Sequence, residues 1–527
     1  MNNITLYIIL LLWILSVTRQ VFLHVAIWQQ KEYRWDRMRE YLRLPSSQKN
    51  ILSPLELAKW LLLLLAYSAR SFSVSVTVFL VAILLLENIT FFKEIYLRIF
   101  LRPVPTVKSI SIIIFSYILL VVTTLLLFMG GYGIVAFLFS ECFLFVFVSF
   151  GVLLFYPFAV FFKGRKIALA RKRRKEYVNL LTIGITGSYG KSSTKNILAV
   201  LIGNEQSVVT PGNTNTEIGV ADFLLKNVSD KTRCFISEMG AYRVGEIKRL
   251  AEMVRPKIGI ITAVTDQHLG LFGSLENIKK AKYELIQALP VDGVAIFNAD
   301  DVVCRELASM TKHCKVLTYG LHNPADMTAK ITNFSEKGIT ATISGSFSDF
   351  DIFLPLFGNY QISNALAAIT AAISAGVSPE QIKERIATVH SIKGTMDIYY
   401  LNGAMIIDDS YNSNSVGVVA AAENLRKIDK KNKIIVLAPL IELGSNASVQ
   451  HEEIGKSLAS IVSKVFYTSY DFTSDIKQGM KSAPEKFVAE TNPGKLIKCV
   501  NAYLNDNSVI LLEGRVPRQL REYLAKK

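Results

Sequence analysis

Residues 180–195 read Leu-Leu-Thr-Ile-Gly-Ile-Thr-Gly-Ser-Tyr-Gly-Lys-Ser-Ser-Thr-Lys, and no other stretch restricts the fold as tightly. An apolar run ends in two glycines three residues apart, Gly187 and Gly190. Lys191, Ser192 and Ser193 follow, then a helix-forming segment. The order predicts a strand, a phosphate-binding loop and a helix. Glycines let the backbone aim its N–H groups, here across Gly187, Ser188, Tyr189 and Gly190, at phosphate oxygens, and the helix N-terminus adds a positive dipole. Lys191 would then reach the terminal phosphates of a nucleotide, and the hydroxyl of Ser192 or Ser193 a Mg²⁺ ion. The strict pattern G-x-x-x-x-G-K-S/T is not met, because Ile185 stands where its first glycine belongs and an extra Gly184 precedes it. A Gly-rich turn capping a core helix is the bland alternative. The flanking strand and helix favour the nucleotide.

Hydrophobic residues make up 51% of the 527, and the excess lies almost entirely before residue 163. Five apolar segments can be drawn there, at about 4–27, 55–69, 72–92, 109–128 and 134–162. A spanning helix needs roughly 20 apolar residues. The second segment is short, so four or six spans stay open. The first lacks a basic start and a small-residue cleavage site, which makes it an anchor rather than a signal peptide. The loop 28–54 carries Lys31, Arg34, Arg37, Arg39, Arg43 and Lys49, the loop 93–108 carries Lys93, Arg98, Arg102 and Lys108, and Arg171-Lys-Arg-Arg-Lys175 follows the last segment. Basic loops stay inside. Five spans with the N-terminus outside satisfy all three, and the remainder of the chain is then cytoplasmic.

Both inner loops read as amphipathic, with Tyr41-Leu-Arg-Leu44 and Tyr96-Leu-Arg-Ile-Phe-Leu-Arg102 expected along the bilayer surface. Glu141, beside Cys142, is taken as the one Asp, Glu or Lys deep in a span, a functional candidate by default or a water-facing residue near the outer interface. The net charge of +16 sits largely in loops between apolar runs and suits anionic lipid; no basic stretch interleaved with aromatics points to nucleic acid. The five cysteines show no metal spacing and suit a reduced compartment.

After the phosphate loop, short Val/Ile runs near 207–210, 233–238, 257–264, 293–297 and 315–319 alternate with helical stretches near 191–203, 242–253, 275–289 and 301–311. This alternation predicts a parallel sheet covered on both faces. A polar hairpin-like stretch at 327–353 and a helical run from Asn364 follow. A second alternation starts near 391, with strands near 404–408, 433–438, 464–467 and 508–512. The expected organisation is an all-α transmembrane domain at 1–162, a basic juxtamembrane linker at 163–179, and two α/β domains at 180–390 and 391–527. Strand ends carry the chemistry in such sheets. Glu238 ends one strand and His268 lies past the next, and beside a phosphate loop both suit a metal or a phosphate.

These pieces resemble the Mur ligases, the ATP-dependent amide-forming enzymes of peptidoglycan precursor synthesis, and most of all the D-alanyl-D-alanine-adding type (MurF). The resemblance runs from about residue 180 to the end. It rests on Thr186-Gly-Ser-Tyr-Gly-Lys-Ser192, Thr210-Pro-Gly-Asn-Thr-Asn-Thr-Glu-Ile-Gly219, Ser237-Glu-Met-Gly240, His268-Leu-Gly-Leu-Phe-Gly-Ser-Leu-Glu276, Ala281-Lys282, Asn298-Ala-Asp-Asp301, Asn364-Ala-Leu-Ala-Ala368, Ile407-Asp-Asp-Ser-Tyr-Asn-Ser-Asn414 and Glu442-Leu-Gly444 with His451. The resemblance implies a P-loop central domain and a Rossmann-like C-terminal domain. It also implies a reaction in which ATP phosphorylates a carboxylate and an amine captures the acyl phosphate. Lys191 would neutralise charge; Ser192, Glu238 and His268 would hold Mg²⁺; Lys282 matches a lysine carbamylated in some members. Asn364 would contact adenine and Asp409 the ribose. Thr210, Asn213, Asn215 and Thr216 would line the carboxylate substrate's site. Asn412, Asn414 and His451 are further substrate-site residues by the same resemblance, and the C-terminal domain would bring the amine partner, an amino acid or dipeptide.

The chain departs from the family pattern at Tyr360-Gln361, Thr395, Glu513-Gly514-Arg515 and Thr216. The largest departure is at the front, where a membrane half replaces the usual UDP-gripping domain. A lipid-linked carboxylate substrate explains that replacement; simple docking near membrane partners is the milder option. Two further readings keep other functions open. One is a membrane-bound ligase building a different polyamide, such as a γ-glutamyl chain. The other is a non-catalytic ATP-binding scaffold.

Overall fold

A computed structural model describes residues 3–45, 47, 51, 53–68, 73–97, 99–133, 135–203, 205, 207–212, 214–346, 348–411 and 413–525. The chain forms two compact units, Met1–Gly164 and Arg165–Lys527.

The first unit is helical: α1 (Asn3–Gln30), α2 (Trp35–Leu42), α3 (Pro54–Ser68), α4 (Ser73–Tyr96), α5 (Val107–Leu127), α6 (Val135–Cys142), α7 (Leu144–Leu154) and the start of α8 (Tyr156–Glu176). Among the described residues, four stretches are long and apolar enough to cross a membrane: Leu6–Gln30, Val76–Tyr96, Val107–Tyr132 and Leu144–Glu176. The fifth expected segment, α3, has 15 residues and falls short of the roughly 20 that a span needs. The burial pattern is inverted relative to a water-soluble bundle. Leu11, Leu64, Phe79, Ile114 and Leu126 face outward, whereas Ser16, Gln20, His24 and Asn88 are buried. Of the two loops read as amphipathic, Tyr41 and Leu42 end a helix, but the chain leaves helical structure after Tyr96.

The expectation that Glu141 stands alone in the apolar segments is corrected here. Lys59 on α3 and Glu87 on α4 are buried as well, and both meet at the Glu141 side of the bundle. Nor is Glu141 water-facing, since it is 2% exposed. Charges hidden inside long apolar runs leave the runs' average hydropathy high, so a segment-level reading passes over them.

The second unit holds two sheets. The larger has nine strands in the order β2-β3-β1-β4-β5-β6-β7-β8-β9: β1 (Leu181–Thr186), β2 (Ser207–Val209), β3 (Cys234–Glu238), β4 (Ile258–Ile261), β5 (Val294–Asn298), β6 (Lys315–Gly320), β7 (Met327–Ser335), β8 (Gly338–Ser344) and β9 (Phe350–Leu354). Strands β2 to β7 pair parallel and β7-β8-β9 antiparallel, so the expected hairpin is a three-stranded meander. Adjacent residues of β3 show why the sheet is covered on both faces. Ile236 packs with Ile183, Ile185 and Leu198 on one side, and Phe235 packs with Ile261, Leu250 and Leu285 on the other. Gly184 has a packing reason: a Cβ there would lie 2.7 Å from Leu285 Cδ1 and 2.9 Å from Met239 Cε.

The smaller sheet runs β10-β11-β15-β12-β13-β14: β10 (Asp397–Leu401), β11 (Ala404–Asp409), β12 (Asn432–Leu437), β13 (Lys464–Tyr467), β14 (Phe487–Ala489) and β15 (Ser508–Glu513). Strands β10 and β14 were not expected from the sequence. Both are edge strands with half-exposed faces, so neither shows a continuous apolar run. The basic stretch expected as a linker is helical up to Glu176. Arg174 is buried, with Nε donating to Thr182 Oγ1 at 3.2 Å and to the Val254 carbonyl at 2.8 Å. Its two terminal nitrogens donate to the carbonyls of Tyr177 and Leu180, each at 2.8 Å.

Candidate functional site

The phosphate loop joins β1 to the helix Lys191–Ile202, as its residue order requires. Gly190 has φ +79°, and a Cβ on it would lie 2.4 Å from Asn364 Oδ1. A Cβ on Gly187 would collide with Thr262 Oγ1. Thr262 Oγ1 donates to the Tyr189 carbonyl, while Ser188 Oγ accepts from Thr265 N at 2.9 Å. The loop is therefore braced from below by the residues that follow β4. Lys191 folds onto it, Nζ donating to the Gly187 carbonyl at 2.7 Å and the Ser188 carbonyl at 3.2 Å. Ser193 is buried behind the loop.

Glu238 ends β3 beside β1 and gathers three donors. Ser192 Oγ donates to its Oε2 at 2.9 Å, Lys195 Nζ to the same oxygen at 2.9 Å, and Asn215 Nδ2 to Oε1 at 3.1 Å. Thr210 Oγ1 accepts from Glu238 N at 3.1 Å, so the 210–219 loop is tied to the same residue from two positions. Burial pushes the Glu238 carboxyl up, but the charges of Lys195 and Lys191 and the hydrogen bonds from Lys195 and Asn215 outweigh it, and the group stays an anion below its ordinary value. Lys195 had been given no role from sequence. Its signal is spacing: it lies one helical turn beyond Lys191 and so shares its face.

Burial pulls Lys191 below its ordinary value, and it pulls Lys282 well below the ordinary amine range, with the Lys191 charge adding to the effect. For Lys282 the direction favours the uncharged amine. His268 Nδ1 lies 2.7 Å from Glu442 Oε2, which comes from the loop after β12. Burial lowers His268, against the opposing pull of that hydrogen bond. Glu442 appeared in the sequence only as part of a motif. Nothing local to either residue signals their pairing.

Asp409 ends β11. Met396 N donates to its Oδ1 at 3.2 Å and Tyr360 OH to its Oδ2 at 3.4 Å. Burial drives its carboxyl from 3.8 up to about 7. Glu513 at the end of β15 is pushed up as well, by burial and then by Asp409. Asn364 lies against Gly190 and donates from Nδ2 to Gln361 Oε1 at 3.1 Å, so the departure at Gln361 is absorbed by a direct bond. Thr395 Oγ1 is buried without a hydrogen-bond partner among the described residues.

Three of the expected substrate residues have structural duties. Thr216 caps the helix Glu217–Asn227 and Asn414 caps the helix Ser415–Arg426, accepting from Gly417 N at 2.9 Å. His451 is a correction. It is 1% exposed, its Nε2 accepts from Leu440 N at 3.1 Å, its Nδ1 lies 2.6 Å from the Ala447 carbonyl, and Phe472 stacks on it at 4.4 Å. Both ring nitrogens are engaged within the protein and the ring is covered. Asn213 and Asn412 lie outside the described residues.

A glycine phosphate loop between a parallel sheet and a second α/β sheet defines a nucleotide-binding α/β enzyme. Residues 185–372 match the Mur ligase middle domain and residues 394–516 the Mur ligase, glutamate ligase domain, together more than half of the chain. The chain belongs to the Mur ligase family, whose members are ATP-dependent, ADP-forming ligases, and it is an enzyme of that class. It is 28% identical over 372 residues to the UDP-N-acetylmuramoyl-tripeptide–D-alanyl-D-alanine ligase of Haemophilus influenzae, covering 68% of this chain and 79% of that one. It is 30% identical over 286 residues to the Escherichia coli ligase of the same name, covering 54% of this chain and 63% of the relative. The crystal structure of MurF from Thermotoga maritima in complex with ADP superposes with a TM-score of 0.61 at 24% identity, covering 69% of this chain and 83% of that one, and shares the fold. Residues 1–184 lie outside both family matches.

Proposed function

We propose that this chain is a MurF-type ligase that activates the terminal carboxylate of a peptidoglycan precursor peptide with ATP and joins it to the amino group of a dipeptide, at the cytoplasmic face of the membrane. The observation that carries the reading is the convergence of Lys191, Ser192, Asn215 and Glu238 at the phosphate loop, with His268 beside it on the next strand's loop. The named relatives of the chain add the substrate class: a UDP-linked muramoyl tripeptide and D-alanyl-D-alanine.

The residues fit a Mg·ATP complex. The Ser192 hydroxyl and the Glu238 carboxylate are oxygen donors of the kind a hard cation takes. The loop from Gly187 to Gly190 leaves backbone room that side chains would fill. When bound, Mg²⁺ supplies charge neutralisation to the transferring phosphoryl group. The chain's own residues do the rest. Lys191 is aimed along the loop and offsets the repulsion between a carboxylate and a γ-phosphate. The 210–219 loop, held through Asn215 and Thr210, presents the carboxylate. Lys282 lies in Lys191's field, where a carbamate would add a further anionic oxygen pair. Asn364 and Asp409 frame the base and ribose. The incoming amine attacks the acyl phosphate carbon, phosphate leaves with the bonding electrons, and the amine's surplus proton passes to solvent or a nearby base.

The first unit is read as a multi-span membrane domain on the strength of its outward-facing apolar surface and its candidate spans. That reading favours a substrate presented at the bilayer, lipid-linked in the strongest form, with anionic lipids as neighbours.

Purified full-length protein tests the reading by ATP-dependent phosphate release. Release that requires both a muramoyl-tripeptide donor and D-alanyl-D-alanine, and that disappears in Lys191→Ala, supports it. Comparing UDP-linked with lipid-linked donors separates the two forms of substrate. A protein that binds ATP but releases phosphate with no amine overturns it.

A further inference from the structure

Three helices of the first unit bring ionisable side chains to one enclosed point, and a fourth adds a serine hydroxyl. Lys59 Nζ of α3 lies 2.7 Å from Glu87 Oε1 of α4, 2.7 Å from Glu141 Oε2 of α6 and 3.1 Å from Glu56 Oε1 of α3. The second oxygen of Glu87 accepts from Ser16 Oγ of α1 at 2.5 Å. The Lys59 and Glu141 side chains are completely covered, and Glu87 is 3% exposed. Leu62, Leu80, Leu84 and Leu138 pack in the same core. Glu141 Oε1 has no hydrogen-bond partner among the described residues.

The charges do not balance. One ammonium faces three carboxyl groups. The other charged groups of the packed helices do not make up the difference. Arg19 on α1 is held by both oxygens of Glu94, at 3.0 and 2.7 Å, so that pair is already matched. His24 on α1 is buried, with its Nδ1 unpartnered among the described residues. Cys142 follows Glu141 on α6. On α5 the ionisable residues are Lys108 and Tyr117, and Tyr117 OH donates to Thr18 Oγ1 at 3.0 Å. Helix α7 carries none. No group of three or more His, Cys, Asp or Glu side chains suited to a metal ion occurs among the described residues.

A surplus of buried negative charge is resolved by neutralisation, because an isolated ionised carboxylate costs more to desolvate than to protonate. The Lys59 and Glu141 side chains have no exposed surface, which favours the proton over a larger ligand. We propose that Lys59, Glu87 and Glu141, with Glu56 at the rim, form a proton-binding site in which one or two protons are shared among the three carboxyl groups. The unpartnered Glu141 Oε1 is the natural seat for the first. The helical unit is then a proton-responsive module as well as an anchor. Ionisable residues enclosed within apolar helices mark functional positions by default. The inference uses no residue after Gly164 and does not depend on the ligase reading.

Infrared spectroscopy on the full chain in detergent micelles, with glutamate carboxyl carbons isotopically labelled, tests it. Glu513, outside the helical unit, is a buried glutamate that burial pushes toward its acid form, so Glu513→Gln serves as the reference background. A labelled protonated-carboxyl stretch at neutral pH is expected in that background. Glu141→Gln or Glu87→Gln should reduce it by half or more, and Lys59→Met should strengthen it. A reference protein showing only ionised carboxylate at neutral pH overturns the proposal. So does a band that survives unchanged when Glu56, Glu87 and Glu141 are all replaced by Gln. If the replacements prevent folding, the reference spectrum alone decides, since the band is either present or absent there.

Discussion

His268 and Glu442 stand 174 residues apart in the chain, yet His268 Nδ1 and Glu442 Oε2 are 2.7 Å apart. Both backbones are left-handed, with φ of 64° and 65°. The two loops are in close register: Gly270 N donates to the Glu442 carbonyl at 3.1 Å, and a Cβ on Gly444 would lie 2.8 Å from Gly270 Cα. This is where the loop ends of the two sheets meet. Glu442 fixes the orientation of the imidazole through Nδ1.

If that orientation matters to the reaction, Glu442→Gln should lower turnover by about 10–100-fold, the usual cost of losing a residue that orients a ligand. The thermal midpoint should move little, because a single half-buried pair is lost. Steady-state phosphate release and a thermal scan of the same preparation check both parts.

Gly190→Ala should abolish the stabilisation that ATP gives the protein. The position combines φ of +79° with an approach of 2.4 Å between the added Cβ and Asn364 Oδ1. The left-handed backbone alone costs about 1–3 kcal/mol for a residue other than glycine, and moving Asn364 disturbs its contact with Gln361 as well. A nucleotide-dependent shift in melting temperature measures the loss.

Arg174→Ala tests whether the basic stretch is structural. The guanidinium satisfies the carbonyls of Tyr177, Leu180 and Val254 from a buried position. Removing it leaves buried acceptors unpaired, and about 2–4 kcal/mol of stability should go with it. Denaturant unfolding of the wild type and variant reads the difference. Arg173→Ala, on the solvent side with its bond to exposed Glu176, serves as a control expected to change little.

Asp409 should make the nucleotide-free protein lose stability as pH rises toward neutrality. Its carboxyl is raised from 3.8 to about 7, chiefly by burial. A raised folded value means the folded state holds the proton more tightly. That contribution is complete below about pH 4 and is lost as pH rises through about 7. Asp409→Asn removes the titration at this position. The wild type should therefore lose more stability than the variant between about pH 5 and pH 8, measured as the fall in denaturation midpoint.

The residues that the sequence read well are those whose chemistry is local. The loop from Gly187 to Ser192 announces itself, because glycine spacing and a helix start are adjacent in the chain. The strands near 233–238, 257–261 and 508–512 are legible for the same reason, since a buried parallel strand is a short apolar run. Strands β10 and β14 were not legible, because edge strands carry mixed side chains. His451 shows the opposite failure: a motif position that the fold uses for packing.

Order along the chain was enough to establish a nucleotide loop, a pair of α/β sheets and an apolar helical half, since periodicity and turn chemistry act over a few residues. Tertiary structure alone decided which distant groups face each other: Glu442 on His268, Lys195 on Glu238, and Lys59 among Glu87 and Glu141. The reason is that electrostatic pairing depends on separation in space and on exclusion of water, and neither quantity exists until the chain has folded.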